Sequence, residues 1–234
     1  MDYFYAPPNN VSSGFITIDG DEFAHLTHVM RKNVGDTICV VDGTGNAYDA
    51  RIEEITRRSA RCNILQHHRR LHEPDSEVTL GVALLKNGSK FDFLVEKCTE
   101  LGVSAIVPLL TERTIPQHAR TDRYQKLALA AMKQSARCVL PKIHNVEHFT
   151  AFLSSVPQSS LKLIPHEQVR TPTLTDVLRG REFQSIVVCI GPEGGFSDEE
   201  IDQAQAAGFR PVTLGTRRLR TETAAIIAVA LCLL

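Results

Sequence analysis

The sequence predicts an α/β protein in which a small β-rich N-terminal domain precedes a larger domain of alternating strands and helices. Three observations point there. The first 70 residues carry short apolar runs separated by tight-turn signals, the pattern of a small barrel. From Glu77 onward, apolar runs alternate with amphipathic stretches, the pattern of a parallel sheet. Near the C-terminus, two segments each begin as an apolar strand, break at glycine and restart as a helix.

In the first part, residues 15–18 and 37–41 read as strands, as do 47–55 and 60–65. Residues 21–30 read as a helix with Phe23, Leu26 and Met30 on one face and Asp19 or Asp21 as cap. Asp42-Gly43-Thr44-Gly45 is a turn between strands. Residues 67–76, rich in charge and histidine and containing Pro74, read as a linker, so the expected domains are 1–70 and 75–234.

In the second part, strands are expected at 78–85, 103–109, 161–164, 185–190 and 211–214. Helices are expected at 90–101, ended by Gly102, and at 122–138, 174–178, 197–207 and 221–234. Ser197 followed by Glu200 is a capping-box signature for the fourth of these helices.

Composition excludes several classes. The chain is 43% hydrophobic and 23% charged, ordinary for a globular protein, and holds no apolar run of membrane-spanning length. The N-terminus lacks a basic region followed by an apolar stretch, so a cytoplasmic location is expected. Six cysteines without a C-x-x-C pair, mostly inside apolar runs, read as buried free thiols, and no metal site is expected. A net charge of −1 argues against a large nucleic-acid footprint, yet two acid-free stretches stand out. One holds Arg57, Arg58, Arg61, Arg69 and Arg70; the other holds Arg210, Arg217, Arg218 and Arg220. Each is either a solvated surface or a phosphate-contacting patch.

The two glycine segments are Ile190-Gly191-Pro192-Glu193-Gly194-Gly195-Phe196-Ser197 and Leu214-Gly215-Thr216-Arg217-Arg218-Leu219-Arg220-Thr221-Glu222-Thr223-Ala224. Neither is a dinucleotide fingerprint or a P-loop, since the spacing is wrong and no Lys-Ser/Thr follows. Each alone is either a tight turn before a helix or a place where backbone meets ligand. Two at successive strand ends suit a nucleoside with an amino-acid tail.

These two segments resemble those of the SPOUT superfamily of RNA methyltransferases, and most of all the RsmE family. The resemblance extends over nearly the whole chain. It includes His25-Leu26, Val29-Met30-Arg31 and Gly35-Asp36; Lys86, Lys90 and the run Glu96-Lys97-Cys98-Thr99-Glu100-Leu101-Gly102; Glu112-Arg113-Thr114; and Gln134-Ser135 with Arg137. One departure is Arg218, where the family usually has an aliphatic residue. The resemblance implies a PUA-like β-barrel that binds RNA, then a SPOUT domain with a deep trefoil knot. It implies S-adenosylmethionine as methyl donor and N3 of a uridine in 16S rRNA of the small ribosomal subunit as acceptor. It also implies a homodimer whose RNA site is shared between protomers. Two other classes stay open: a SPOUT enzyme acting on tRNA or a ribose 2′-hydroxyl, and a non-catalytic RNA-binding protein.

On that resemblance, the residues expected at the cofactor are Pro165, Ile190, Gly191, Pro192, Gly194, Gly195, Leu214, Gly215, Leu219, Arg220, Thr221 and Thr223. Arg220 is the candidate for orienting the uracil or stabilising its anion, or else it pairs with Glu222 or Glu193. Glu193 and Glu222 are the candidate general bases; alternatively the first caps loop amides and the second complements a helix dipole. His166 is a pocket ligand or an exposed loop residue, and His25 an RNA contact or a structural histidine. Glu100 and Arg113 are expected as a structural ion pair. Arg31, Lys32, Arg57, Arg69 and Arg70 are the candidate RNA contacts.

Overall fold

The computed structural model describes residues 2–233. Met1 and Leu234, the outermost residues of the expected domains, lie outside the described residues, so the last position of the expected final helix does too. The chain forms two compact units. The first comprises the chain up to Glu73 together with Leu129–Leu140. The second comprises Pro74–Ala128 and the chain from Pro141 onward. Strand–helix alternation had placed 129–140 with the C-terminal part.

The first unit contains β1 (Tyr3–Tyr5), β2 (Val11–Ser12), β3 (Phe15–Asp19), helix α1 (Gly20–Ala24), β4 (Thr37–Val41), β5 (Asn46–Ile55) and β6 (Ser59–Arg69). The expected barrel is a six-stranded sheet in the order β1-β4-β5-β6-β3-β2, with β1 parallel to β4 and the other neighbours antiparallel. Along β4, successive side chains point to opposite faces. Ile38 and Val40 join a core with Phe4, Ile16, Ile18, Leu26 and Ile52. Cys39 and Val41 instead meet Met132 and Cys138. The strand is apolar on both faces because residues of 129–140 cover the second one.

Two departures from the expected elements have local causes. The expected helix 21–30 is one α-turn that widens into a π-helical segment at His25–Val29, where the Thr27 hydroxyl donates to the Phe23 carbonyl at 2.9 Å. Such back-bonding competes with the helical ladder. The first residues of the expected linker, His67–Arg69, belong to β6. A register shift pairs Ala50 with Ile64 but Asp49 with Gln66, which leaves Leu65 bulged and 55% exposed.

The second unit contains β7 (Glu77–Ala83), α2 (Gly88–Leu101), β8 (Ala105–Leu110), the start of α3 (Thr121–Gln134), β9 (Lys142–Ile143), β10 (Glu147–His148) and α4 (Phe149–Ser155). It continues with β11 (Leu161–Pro165), α5 (Leu174–Leu178), β12 (Ser185–Ile190), α6 (Asp198–Ala206), β13 (Arg210–Val212) and α7 (Thr221–Leu233). The sheet is parallel throughout, in the order β10-β8-β7-β12-β11-β13, with β9 also on β8. Val107, Leu109, Val187 and Cys189 pack against Phe149 and Phe152 of α4 and Ile201 and Ala204 of α6. Ile186 and Val188 point the other way, and α7 packs on β7 and β12 with α2 against it. A central strand covered on both faces explains the unbroken apolar run of β12.

Candidate functional site

Strands β11, β12 and β13 run parallel, so their carboxyl ends open on one side. Ligands of open α/β sheets bind there. A cleft of about 660 Å³ lies at these ends.

The loop after β12 folds back on itself. Gly195 N donates to the Pro192 carbonyl at 2.9 Å, and a Cβ on Gly191 would come within 3.1 Å of the Phe196 backbone nitrogen. The loop ends where the Ser197 hydroxyl accepts from Glu200 N and the Glu200 carboxylate accepts from Ser197 N, completing the expected capping box. After β13, the Thr213 hydroxyl accepts from Gly215 N at 3.2 Å and donates to the Gly215 carbonyl at 3.0 Å. Gly195 and Gly215 have φ of +71° and +118°, and nothing lies within 4 Å of a Cβ at either. Glycine adopts these angles freely, and both loops present bare backbone to open space.

Helix α7 begins at the cleft. The Arg220 carbonyl accepts from Ala224 N at 2.8 Å, so Arg220 stands at the helix entry with its side chain exposed at the cleft. Glu222 is buried and pairs with Lys90 at 3.1 Å. Burial works against the Glu222 charge. Hydrogen bonds from its own backbone N–H and from Lys90, with the charges of Lys90 and Arg220, outweigh burial and hold the carboxyl below its ordinary value. Glu193 is exposed, and its Oε1 accepts from Lys86 N at 3.2 Å. At the rim, Arg218 meets Glu167 at 3.3 Å in a surface ion pair, both side chains exposed.

All but one of the expected cofactor residues line this cleft: Pro165, Ile190, Gly191, Pro192, Gly194, Gly195, Leu214, Gly215, Leu219, Arg220 and Thr221. His166, Glu193 and Glu222 line it too. Thr223 does not; at about 100° per residue it falls on the side of α7 opposite Thr221. The expected pair of Glu100 with Arg113 does not form. Glu100 pairs with Lys97 at 2.8 Å, and Arg113 donates to the Gly194 carbonyl at 2.7 Å. The alternative partners of Arg220 are engaged elsewhere, Glu222 by Lys90 and Glu193 by the Lys86 amide. Lys90, Arg113, Gln168, Phe196 and Asp198 line the cleft without having been assigned to it. Lys90, Arg113 and Phe196 lie within the motifs of the resemblance, and Asp198 directly follows the first glycine segment; Gln168 carried no sequence signal.

The candidate RNA contacts lie in the first unit. Arg31, Arg57, Arg69 and Arg70 are exposed, with Arg31 and Arg70 at φ of +52° and +50°. Lys32 pairs with Asp2 at 2.8 Å. All six cysteines are buried and free. Among the described residues, no group of three or more His, Cys, Asp or Glu is placed to hold a metal, and no helix is long and apolar enough to cross a membrane.

The fold and the cleft are those of an RNA methyltransferase. A model of the RNA methyltransferase domain matches residues 72–233, and one of the RNA methyltransferase PUA domain matches residues 18–65. A ribosomal RNA small subunit methyltransferase E from Synechocystis sp. is 35% identical over 227 residues, covering 95% of this chain and 74% of that protein. The crystal structure of a ribosomal RNA small subunit methyltransferase E from Neisseria gonorrhoeae bound to S-adenosyl methionine superposes with a TM-score of 0.89 at 35% identity, covering 98% of this chain and 95% of that one. A methyltransferase from Legionella pneumophila in complex with bound SAM gives 0.85 at 28% identity, covering 98% and 96%. The chain belongs to the ribosomal RNA small subunit methyltransferase E family.

Proposed function

We propose that this enzyme transfers the methyl group of S-adenosylmethionine to N3 of a uridine in 16S rRNA, acting in the cytoplasm as a homodimer. On this reading the second unit carries the trefoil knot, and the first is a PUA-like barrel that holds RNA through Arg31, Lys32, Arg57, Arg69 and Arg70. The observation that carries the reading is the pairing of two bare-backbone glycine loops in one cleft. Its volume of about 660 Å³ falls in the range that encloses cofactor-sized ligands, and two similar structures hold the same donor.

The donor supplies a sulfonium-activated methyl group, so the chain's task is placement and proton management. Ile190, Gly191, Pro192, Gly194 and Gly195 hold one side of the donor by backbone; Pro165, Leu214, Gly215, Leu219 and Thr221 hold the other. Arg220 forms no ion pair among the described residues; it lines the cleft and orients the uracil, stabilising the charge that spreads onto O2 and O4 as the N3 proton leaves. Glu222, held ionised by Lys90, is a poor acceptor for that proton and serves to anchor the Lys90 ammonium. Glu193 Oε2 has no hydrogen-bond partner among the described residues, and Glu193 takes the proton. As the N3–C bond forms, the S–C bond breaks, leaving the neutral thioether and N3-methyluridine.

The test is methyl transfer from labelled S-adenosylmethionine to small subunits prepared from cells lacking the enzyme, followed by nucleoside identification. N3-methyluridine supports the reading. Label in a ribose methyl or only in tRNA replaces the acceptor, and no donor binding overturns it. Arg220→Ala is expected to lower kcat by about 10²-fold, the scale of losing one stabilising donor.

A further inference from the structure

We propose that Arg113 is a positioning residue that sets the shape of the Gly194–Phe196 loop for the methyl donor; the proposal rests on reading the cleft as the donor site. Arg113 stands at the tip of a turn following β8, and the turn is locked from within. The buried Thr111 and Thr114 hydroxyls lie 2.8 Å apart; Thr111 N donates to the Thr114 hydroxyl at 3.0 Å, and Thr114 N to the Thr111 carbonyl at 3.1 Å. A second lock ties the turn to α6. Glu112 N donates to Glu200 Oε1 at 2.8 Å, while Oε2 of that buried carboxylate accepts from Ser197 N at 3.0 Å. The backbone that carries Arg113 is therefore fixed to the end of the glycine loop.

From this base the guanidinium reaches over the loop. Its Nη1 donates to the Gly194 carbonyl at 2.7 Å and to the Phe196 carbonyl at 3.3 Å, bridging Gly195. Its Cδ lies 3.3 Å from where a Gly194 Cβ would stand, so a side chain at 194 would press on the stem and shift it by a few tenths of an ångström. Two consecutive glycines have more backbone freedom than any other pair and do not define one conformation by themselves. Gly195, with open space where a Cβ would be, draws no order from side-chain packing. Arg113 supplies that order. A guanidinium has five donors; Nε and Nη2 of Arg113 engage no acceptor among the described residues, and the residue lines the cleft. Both bonds leave a single nitrogen, so lysine can make them in part, but without the planar guanidinium that lies over the loop.

The test compares the full-length protein with Arg113→Ala and Arg113→Lys by calorimetric titration with S-adenosylmethionine and S-adenosylhomocysteine, thermal melting without ligand, and steady-state kinetics. Losing a hydrogen bond from a charged donor corresponds to about 10- to 100-fold in affinity, and that is the expected rise in donor Kd for Arg113→Ala. Melting temperature is expected to stay within about 3 °C, the shift of roughly one small surface interaction in a chain of this size. KM for the RNA is expected to be unchanged, with Arg113→Lys intermediate in donor affinity. A guanidinium salt at millimolar concentration is expected to restore part of the Arg113→Ala affinity, which a purely structural loss does not allow. Parental donor affinity in Arg113→Ala overturns the proposal, as does loss of the melting transition in both variants. Failure of the parental protein itself to bind the donor sinks the reading of the cleft and is told apart on that ground.

Discussion

Glu73 is the residue whose removal has the most readily computed consequence. Its side chain is 2% exposed and faces Arg137, 3% exposed, with contacts at 2.8 Å to Nη2 and 3.1 Å to Nε. Its other oxygen accepts from Cys138 N at 2.8 Å and Val139 N at 2.9 Å. Arg137 stands at the turn closing α3, beside Ala136 with φ of +59°. One carboxylate thus holds the segment that covers Cys39 and Val41. Glu73→Ala takes the anion from a buried cation, a change that costs about 3–5 kcal/mol, and it also strips two backbone amides of their acceptor. At about 2–4 °C per kcal/mol for a chain of this size, the melting temperature should fall by about 6–20 °C. Glu73→Gln retains an acceptor and should lose less. The double variant Glu73→Met, Arg137→Met removes the stranded charge and should recover part of the loss, though not the part due to the amides. Differential scanning calorimetry and urea titration of all four proteins measure this. A loss below about 1 kcal/mol in Glu73→Ala would refute the reasoning, since it is the figure for an exposed pair.

Other expectations follow from the same geometry. Glu222, with its carboxyl held below the ordinary value, contributes stability that is present above the ordinary carboxylate range and lost as pH falls through the depressed folded value. The melting-temperature gap between the parental protein and Glu222→Gln should therefore be constant from pH 8 to 6, as measured by fluorimetry, and shrink below about pH 4; a gap that widens in acid contradicts this. Burial pushes the thiols of Cys39, Cys62 and Cys138 up to about 11 and those of Cys98 and Cys232 up to about 12, and it raises Cys189 as well. A thiol reagent at pH 8 should accordingly find none of the six in the native protein within minutes and all of them in denaturant; fast native reaction of even one would place it at the surface. If Arg57 and Arg69 touch phosphate, each alanine variant should flatten the slope of log Kd for RNA against log salt by about 0.7–0.9. Unchanged slopes would return them to the solvated surface.

What was legible in the sequence was legible for local reasons. The Ser197–Glu200 capping box is four residues of chemistry, and it forms as read. The apolar runs of β7, β8, β11 and β12 announce a sheet covered on both faces. Elements set by distant partners were not legible. Tyr3–Tyr5 is three residues long and becomes a strand by lying parallel to β4. His67–Arg69 look like linker because they are charged and polar, yet His67 is held in β6 by its stacking on Tyr48 and a 2.9 Å contact with Asn46. Helix α4 is seven residues long and is fixed by Phe149 and Phe152 entering the core. In the cleft, the glycines were readable because the backbone does the work there. Arg113 and Lys90 were not readable as cleft residues, because their partners lie 81 and 132 positions away.

The allocation of charge in the cleft decides where its chemistry is sought. Five cations line it: Lys90, Arg113, Arg217, Arg218 and Arg220. Lys90 is held by Glu222 and Arg218 by Glu167, while Arg113 is spent on carbonyl oxygens that hold no net charge. Arg217 and Arg220 have no ion pair among the described residues, and both are exposed. Four carboxylates line the cleft as well, Glu167, Glu193, Asp198 and Glu222, so the five cations leave a small local excess on a chain whose formal charge is −1. A donor that is itself a sulfonium cation does not call for it. On the proposed reading, an acceptor that turns anionic at the moment of transfer, flanked by phosphates, does. The two cations divide by position: Arg220 stands at the entry of α7 next to Thr221, where the proposed reading puts the uracil, whereas Arg217 stands in the preceding loop next in sequence to Arg218 of the rim pair. Alanine at 220 should therefore depress kcat, and alanine at 217 should raise KM for RNA and flatten its salt dependence while leaving kcat intact. The reverse split would exchange their roles, and equal losses in both parameters for both variants would deny that the cleft separates chemistry from phosphate binding.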